Sequence, residues 1–426
     1  MLKSICLNAT ALLLCTQICA TLPPYIATTS NQQLVIDQLE NIDNEKEGRQ
    51  GLLLGLLAPL GETETQKALK QLAGTPYTTL FISSEIINRQ FLRRLYDPLR
   101  VIITNPCSYD DEVYDICSSK GIDAWAEGSV NRSFLNGNKN GNGFKMSGYE
   151  VSVGAHKRMT STWTLGAGGS YAIDHFHYNV GGSSKTNAVL GGVYALYRPA
   201  NYYTLANVTF GYFTNDMHRR VQLYNEPVKS TPPAGESNSP GVLAYHAAQL
   251  SAALYRSANN YIVKSRPNIS EVTFYGEAGF DWNCNCVLVQ PFIGFEANRF
   301  IRRCKYDHSK LSPLKLIYSS KDVTNAYSRL GVHLTTPENC YDLIFSFDLA
   351  WQYRLTSSQN NLTVRFEDFG TPFNLTGVPN ERNSLSMGFT VWSEIFDGWT
   401  LYLEASGERW KRVSNYQFTG GLLFKW

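Results

Sequence analysis

Asp174-His175-Phe176-His177 sets two imidazoles on one face of a strand, a spacing that can hold a metal ion. No nearby third ligand is identifiable, so the pair reads as the solvated base of a loop. Gly168-Gly169-Ser170-Tyr171-Ala172 is not a nucleophile elbow: Gly is missing two residues after Ser170, and the context is strand to turn. Cys284-x-Cys286 lacks the two-residue gap and the matching second pair of a zinc ribbon. The acidic residues Asp110, Asp111, Glu112 and Asp115 follow Pro106 in a linker, where such clusters are solvated surface. A barrel protease or lipase needs carboxylates or a Ser–His pair converging at one rim, and sequence alone identifies no such set. No catalytic, metal-binding or cofactor-binding residue is assigned, no cofactor is expected, and the chain reads as a non-enzyme. The cations Arg89, Arg93, Arg94 and Arg100 do recur at a usable spacing, with Arg89 and Arg93 on one helical face.

Two kinds of element must carry these residues. From Ser30 to about Arg100 the apolar residues keep the helical period: Leu34, Ile36 and Leu39, then Leu69 and Leu72, then Leu80, Ile82, Ile86, Ile87, Phe91 and Leu95. Gly48 and Gly51 interrupt the first segment, and Gly74-Thr75-Pro76 separates the second from the third. The last helix is expected from about Thr78 to Tyr96, stopping before Asp97-Pro98. Beyond Gly121 the period becomes two. In the stretch 342–355 one face is Leu343, Phe345, Phe347, Leu349, Trp351, Tyr353 and Leu355, and the other holds Asp342, Ser346, Asp348, Gln352 and Arg354. An apolar outside with a polar inside is the pattern of a membrane barrel.

Twelve such segments are expected, at 122–134, 144–159, 163–176, 186–197, 202–215, 271–282, 287–301, 324–335, 341–355, 384–395, 399–410 and 415–426. The Ala-rich stretch 242–255 lacks β-branched residues and reads as a helix inside a long loop. Short turns around Thr160, Pro199, Asn285, Pro337 and Asp397 alternate with long loops at 135–143, 177–185, 216–270, 302–323 and 356–383, leaving only the turn near Arg412 short on the loop side. Membrane barrels alternate in this way.

Composition agrees. The 426 residues hold 38 Lys plus Arg against 36 Asp plus Glu, a net +2, so no bulk charge points to nucleic acid. Apolar residues reach 43% and aromatics 13%, which excludes disorder and fits rings at a boundary between apolar and wet surroundings. Lys3, the apolar run from Ile5 to Leu14 and the ending Ile18-Cys19-Ala20 read as a cleavable export signal. Neither Cys15 nor Cys19 follows the small-residue pattern of a lipoprotein site. Cys107, Cys117, Cys284, Cys286, Cys304 and Cys340 then remain in an oxidising compartment. Bridges from Cys107 to Cys117, or from the Cys284–Cys286 turn to Cys340, stay open because connectivity does not follow from spacing. No later run is long and apolar enough for a spanning helix, so any insertion uses strands. The division expected is 1–20 signal, 21–76 helical region, 77–120 pore helix and linker, and 121–426 barrel.

The chain resembles the bacterial autotransporters, and among them a small, passenger-poor member. Leu69-Lys70-Gln71-Leu72-Ala73-Gly74 is similar to the stretch that precedes such barrels, and Ala124-Trp125-Ala126-Glu127-Gly128 to the opening of the first strand. Tyr149-x-x-x-x-Gly154-Ala155, Leu165-Gly166-x-Gly168, Leu190-Gly191-Gly192-Val193-Tyr194, Glu277-Ala278-Gly279 and Pro291-Phe292-Ile293-Gly294 follow in the family's order. The last strand carries Tyr416, Phe418, Leu422, Phe424 and Trp426, similar to the aromatic-ended signal read by the outer-membrane assembly machinery. The family usually ends on Phe.

The resemblance implies an all-β, twelve-stranded antiparallel transmembrane barrel with a short helical region before it and one helix in the lumen. Strand alternation puts Glu150, Glu271, Glu277, Asp281, Glu296, Asp342, Asp348, Glu404 and Glu408 inside, against few inward cations, Arg329, Arg354 and Lys425. A basic helix in an acidic, partly dehydrated pore gains Coulomb energy, so the helix bearing Arg89 and Arg93 is expected to plug it. Self-cleavage is not expected, since the segment 78–121 has only the isolated Asn88 and Asn105. The expected setting is the bacterial outer membrane with loops at the cell surface. Expected partners are outer-membrane lipid, the barrel assembly machinery and periplasmic chaperones, and no nucleic acid. The expected work is display or translocation of the short N-terminal segment in a type V manner. The alternatives are an adhesin whose loops meet a host-surface ligand, and a diffusion porin.

Overall fold

The computed structural model describes residues 26–40, 53–104, 122–199, 201–224, 259–284, 287–309, 312–336, 343–357, 360–379 and 381–425. The stretch 242–255, Cys107, Cys117, Cys286, Cys340, Asp342 and Trp426 lie outside them.

Strands β1 (Ile122–Leu135), β2 (Phe144–Arg158), β3 (Trp163–Tyr178), β4 (Ser183–Tyr197), β5 (Tyr202–Gln222) and β6 (Asn268–Phe280) form the first half of a barrel. The second half is β7 (Val287–Arg302), β8 (Lys321–Thr335), β9 (Ile344–Arg354), β10 (Asn383–Phe396), β11 (Trp399–Trp410) and β12 (Val413–Lys425). Each pairs antiparallel with the next, and β12 closes on β1 from Asp123↔Lys425 to Leu135↔Val413. Closure leaves no unpaired strand edge to face lipid. No described helix is long and apolar enough to cross a membrane.

The period-two pattern sorts the side chains as a bilayer requires. Val130, Tyr149, Val151, Val189, Phe210, Phe274, Ile293, Phe389 and Leu403 stand exposed on the outside, while Glu127, Ser129, Asn131, Glu150 and Ser152 are buried toward the lumen. The lumen is filled. A helix, α3 (Leu80–Thr104), follows a short 3-10 segment (Thr75–Thr79) that Gly74 introduces with φ 70°. Phe81, Ile82, Ile86, Phe91, Leu92, Leu95 and Leu99 of α3 are all buried. Leu95 lies so close to the wall that a Cβ at Gly168 or Gly192 would come within 2.9 Å of its methyl groups.

Two sequence expectations need correction here. The α-helix begins at Leu80 and runs through Pro98 to Thr104, where an end before Asp97-Pro98 was expected. Proline removes one hydrogen bond and crowds the preceding turn, a cost of about 3 kcal/mol in an exposed helix. Here the wall confines the helix and burial of Leu95 and Leu99 on either side of Pro98 offsets that cost. The connection at 177–185, expected to be long, is a four-residue turn at 179–182, because Gly181 (φ 95°) and Gly182 (φ 100°) let β3 and β4 continue pairing to His177↔Ser183. Two loop-side connections are therefore short, this one and that at 411–412.

At the loop-bearing end the chain builds a cap. Helices α1 (Ser30–Glu40) and α2 (Glu62–Leu72) meet there, with Gln32 Nε2 donating to the Gln66 carbonyl at 2.8 Å. The long loops supply a four-stranded sheet of Lys305–Tyr306, Leu316–Tyr318, Asn361–Phe366 and Phe373–Thr376. Asn31 Nδ2 donates to the carbonyls of Asn140 and Thr376 at 2.8 and 2.9 Å, and the Thr376 amide donates back to Asn31 Oδ1 at 3.0 Å.

Candidate functional site: the occupied lumen and its cap

Arginines on α3 meet carboxylates that the wall points inward. Arg89 lies 2.7 Å from Glu408 of β11, 3.6 Å from Glu296 of β7 and 3.0 Å from Glu85 one turn earlier on α3. Arg93 lies 2.5 Å from Glu404 and 3.3 Å from Asp348. Its guanidinium occupies the space that a Cβ at Gly388 would take. Arg94, 1% exposed, reaches Glu127 at 3.2 Å and Glu150 at 3.3 Å, and its other nitrogen donates to Ser129. Arg354 of β9 reverses the polarity by pairing with Glu85 of α3 at 3.1 Å, so wall and helix exchange charges in both directions. A crevice beside α3, lined by Arg89, Arg93, Glu296, Arg329 and Glu408 among others, measures about 50 Å³. That is room for a few waters.

The other expected acids serve the wall itself. Glu277 accepts from Tyr203 at 2.7 Å and faces His333 Nε2 at 3.3 Å, and Asp281 pairs with Arg198 at 2.5 Å. Glu271 accepts from Thr273. Asp342 lies outside the described residues, and only the backbone of Arg100 is described. Lys425, expected inside, is exposed at the short-turn rim, because the strand has left the lumen by that point. His175 and His177 face outward, exposed, and no group of metal-ligating side chains occurs among the described residues. Among the described residues Cys284 and Cys304 are free, exposed thiols, and the bridge expected from the Cys284–Cys286 turn to Cys340 falls on residues outside them.

On β12, Tyr416, Phe418 and Leu422 stand exposed on the outer face, and Phe424 packs on Trp399 with ring centroids 4.6 Å apart. Sequence reasoning missed Glu127, although alternation with Trp125 and Ser129 marks it as inward. It also missed a buried knot under the cap. There Arg219 of β5 pairs with Asp307 at 2.7 Å and donates to the carbonyls of Gln71 at 2.9 Å and Leu314 at 2.6 Å. Tyr77 donates to the same Asp307 at 2.5 Å and accepts from Ser265 at 3.0 Å. Burial first, then the Asp307 carboxylate, holds the Tyr77 phenol well above its ordinary range.

A closed barrel of twelve antiparallel strands threaded by its own N-terminal helix is the architecture of a translocator unit. The sequence matches the family described as Autotransporter beta-domain over residues 124–406, and the chain belongs to that family. Among solved structures, the translocator domain of NalP from Neisseria meningitidis superposes with a TM-score of 0.53 at 11% identity, covering 80% of this chain and 98% of that one. The transport unit of AIDA-I from Escherichia coli gives 0.44 at 10% identity, with coverage of 77% and 96%. The β domain of the Bordetella autotransporter BrkA gives 0.45 at 14%, with coverage of 72% and 100%. No curated protein matches the sequence. Family membership implies a bacterial outer-membrane barrel with a translocator role.

Proposed function

We propose that this barrel keeps and displays its own N-terminal segment as a cap at the cell surface, with α3 closing the lumen, and that its work is positional and not catalytic. The observation that carries this reading is the pairing of Arg89, Arg93 and Arg94 with Glu408, Glu296, Glu404, Asp348, Glu127 and Glu150 around the lumen. Removing either side of such a buried pair leaves an uncompensated charge, so the helix is held and not merely accommodated. A non-catalytic role is supported by His333, whose two ring nitrogens both face carboxylates, Asp348 at 2.5 Å and Glu277 at 3.3 Å. Neither nitrogen is left to activate a nucleophile. In this reading the exposed aromatic face of β12 is the segment that the assembly machinery recognises after periplasmic chaperones deliver the chain.

Planar-bilayer conductance tests the reading. The mature chain should conduct little, and a chain starting at Gly121 should conduct well. Large, equal conductance in both would replace it with a diffusion porin. A surface adhesin is the second reading, favoured by the ordered loop sheet against α1. Host-cell binding that disappears when residues 361–376 are deleted, with the barrel still folded, would favour it.

A further inference from the structure

The outer face of the barrel carries a one-sided band of cations at its loop-bearing end. Along β11, β12 and β1 to β5, hydrogen-bonded neighbours form two rows. Lys145, His177 and His218 belong to the upper row, which Arg409 opens and which Lys264 closes from a short strand (Asn260–Ser265) paired to the end of β5. Arg132, His175 and Lys185 belong to the lower row, which ends at Asp216. Arg132, Lys145, Lys185, Lys264 and Arg409 are all exposed. Asp216 is the sole acid of the two rows, and it is already engaged by Arg266 at 3.5 Å and His218 at 3.8 Å. Among the described residues Arg132, Lys145, Lys185 and Arg409 enter no ion pair. The opposite wall differs, since Arg299 of β7 is neutralised by Asp322 of β8 at 2.7 Å.

Position gives this band its meaning. The next row toward the short-turn end is Phe418, Val130, Tyr149 and Ile173, continuing through Asn187 and Thr214, and one row further Val189 and Tyr212 carry the apolar belt across β4 and β5. Two residues of strand advance roughly 7 Å. The cations therefore sit at the level where acyl chains give way to headgroups, facing lipid and not the lumen. A merely solvated surface mixes both signs. Here, Asp216 at one end apart, one sign runs across neighbouring strands above a greasy surface.

We propose that this face binds the phosphates of a phosphorylated glycolipid of the outer leaflet, with Arg132, Lys145 and Lys185 as the principal contacts and the belt around Val130 and Tyr149 taking the acyl chains. The proposal rests on the membrane-inserted orientation given above, loops outward. Two or three convergent cations recognise a polyanionic headgroup, whereas a zwitterionic one gains nothing from them.

The test uses the full mature chain folded in dodecyl maltoside, with diphosphoryl lipid A, its dephosphorylated form and phosphatidylcholine as probes and native mass spectrometry as the readout. The wild type should retain diphosphoryl lipid A roughly tenfold more than either other lipid, and R132Q/K145Q/K185Q should lose that preference. R299Q, on the opposite wall, should keep it. The heat-dependent gel shift of a folded barrel checks each variant, and single substitutions K145Q and K185Q replace the triple one if it does not fold. Equal retention of all three lipids by the folded wild type, or unchanged retention by the folded variants, overturns the proposal. Failure of the wild type to insert into vesicles at all would instead overturn the barrel's orientation in a membrane.

Discussion

Arg94 of α3 and Glu127 of β1 form an ion pair with no route to solvent: Nη1 stands 3.2 Å from Oε1, and the two side chains are 1% and 0% exposed. Glu150 of β2 lies on the other side of the same guanidinium at 3.3 Å. One cation thus fastens the N-terminal helix to the first two strands of the wall.

Arg94→Ala should destabilise the folded barrel by about 3–5 kcal/mol, because two buried carboxylates lose the one cation that pairs with them among the described residues while the wall keeps them from water. Arg94→Lys should recover little of this, since an ammonium does not present the planar fork that reaches both acids and Ser129. The midpoint of urea unfolding, followed by the gel shift of the folded barrel, measures the change. A midpoint equal to wild type would show that the pair contributes nothing net.

Asp307→Asn should loosen the cap without opening the pore. The substitution leaves Arg219 with neutral acceptors only, a loss again of about 3–5 kcal/mol for a buried pair, yet it touches none of the pairs around Arg89, Arg93 and Arg94. Trypsin should cut faster within 62–79 and 303–320 while bilayer conductance stays low. Conductance rising together with proteolysis would mean that cap and plug open as one unit.

Alkaline pH should release the cap as well. Tyr77 holds its proton well above the ordinary phenol value of 10.0, so the folded state binds that proton more tightly than the unfolded state does. Its contribution is full below the unfolded value and is lost as pH rises from there through the folded value. Protection of the 75–80 amides, corrected for base-catalysed intrinsic exchange, should fall above about pH 10, and Tyr77→Phe should flatten that fall. A wild-type profile identical to that of Tyr77→Phe would rule the linkage out.

At the C-terminus, Trp426→Phe should leave outer-membrane assembly intact, whereas Phe424→Ser with Trp426→Ser should reduce the folded, membrane-recovered fraction several-fold. Phe424 packs on Trp399 between adjacent strands. The same double variant refolded in detergent should still form a barrel, which separates recognition by the assembly machinery from stability. Equal losses in cells and in detergent would assign the effect to packing alone.

Much of this molecule is legible in its residues because a barrel wall obeys a local rule. Side chains alternate at every second position, so Glu150, Glu296, Asp348 and Glu404 can be placed inside, and Phe418 and Leu422 outside, before any strand is paired. The helical period likewise puts Arg89 and Arg93 on one face. Which acid meets which arginine is decided only when β12 closes on β1 and fixes the rotation of α3 within the ring. Glu127, beside α3, becomes a partner of Arg94, while Glu277 and Asp281 bind wall residues instead. Confinement also overrides local preference, carrying the helix through Pro98 where an exposed helix would stop. The cap is the most non-local feature of all: Arg219, Asp307 and the neighbouring Gln71 and Tyr77 come from three distant parts of the chain and share no spacing. Only the tertiary structure brings them together, because burying Arg219 requires acceptors from every element that crowds around it.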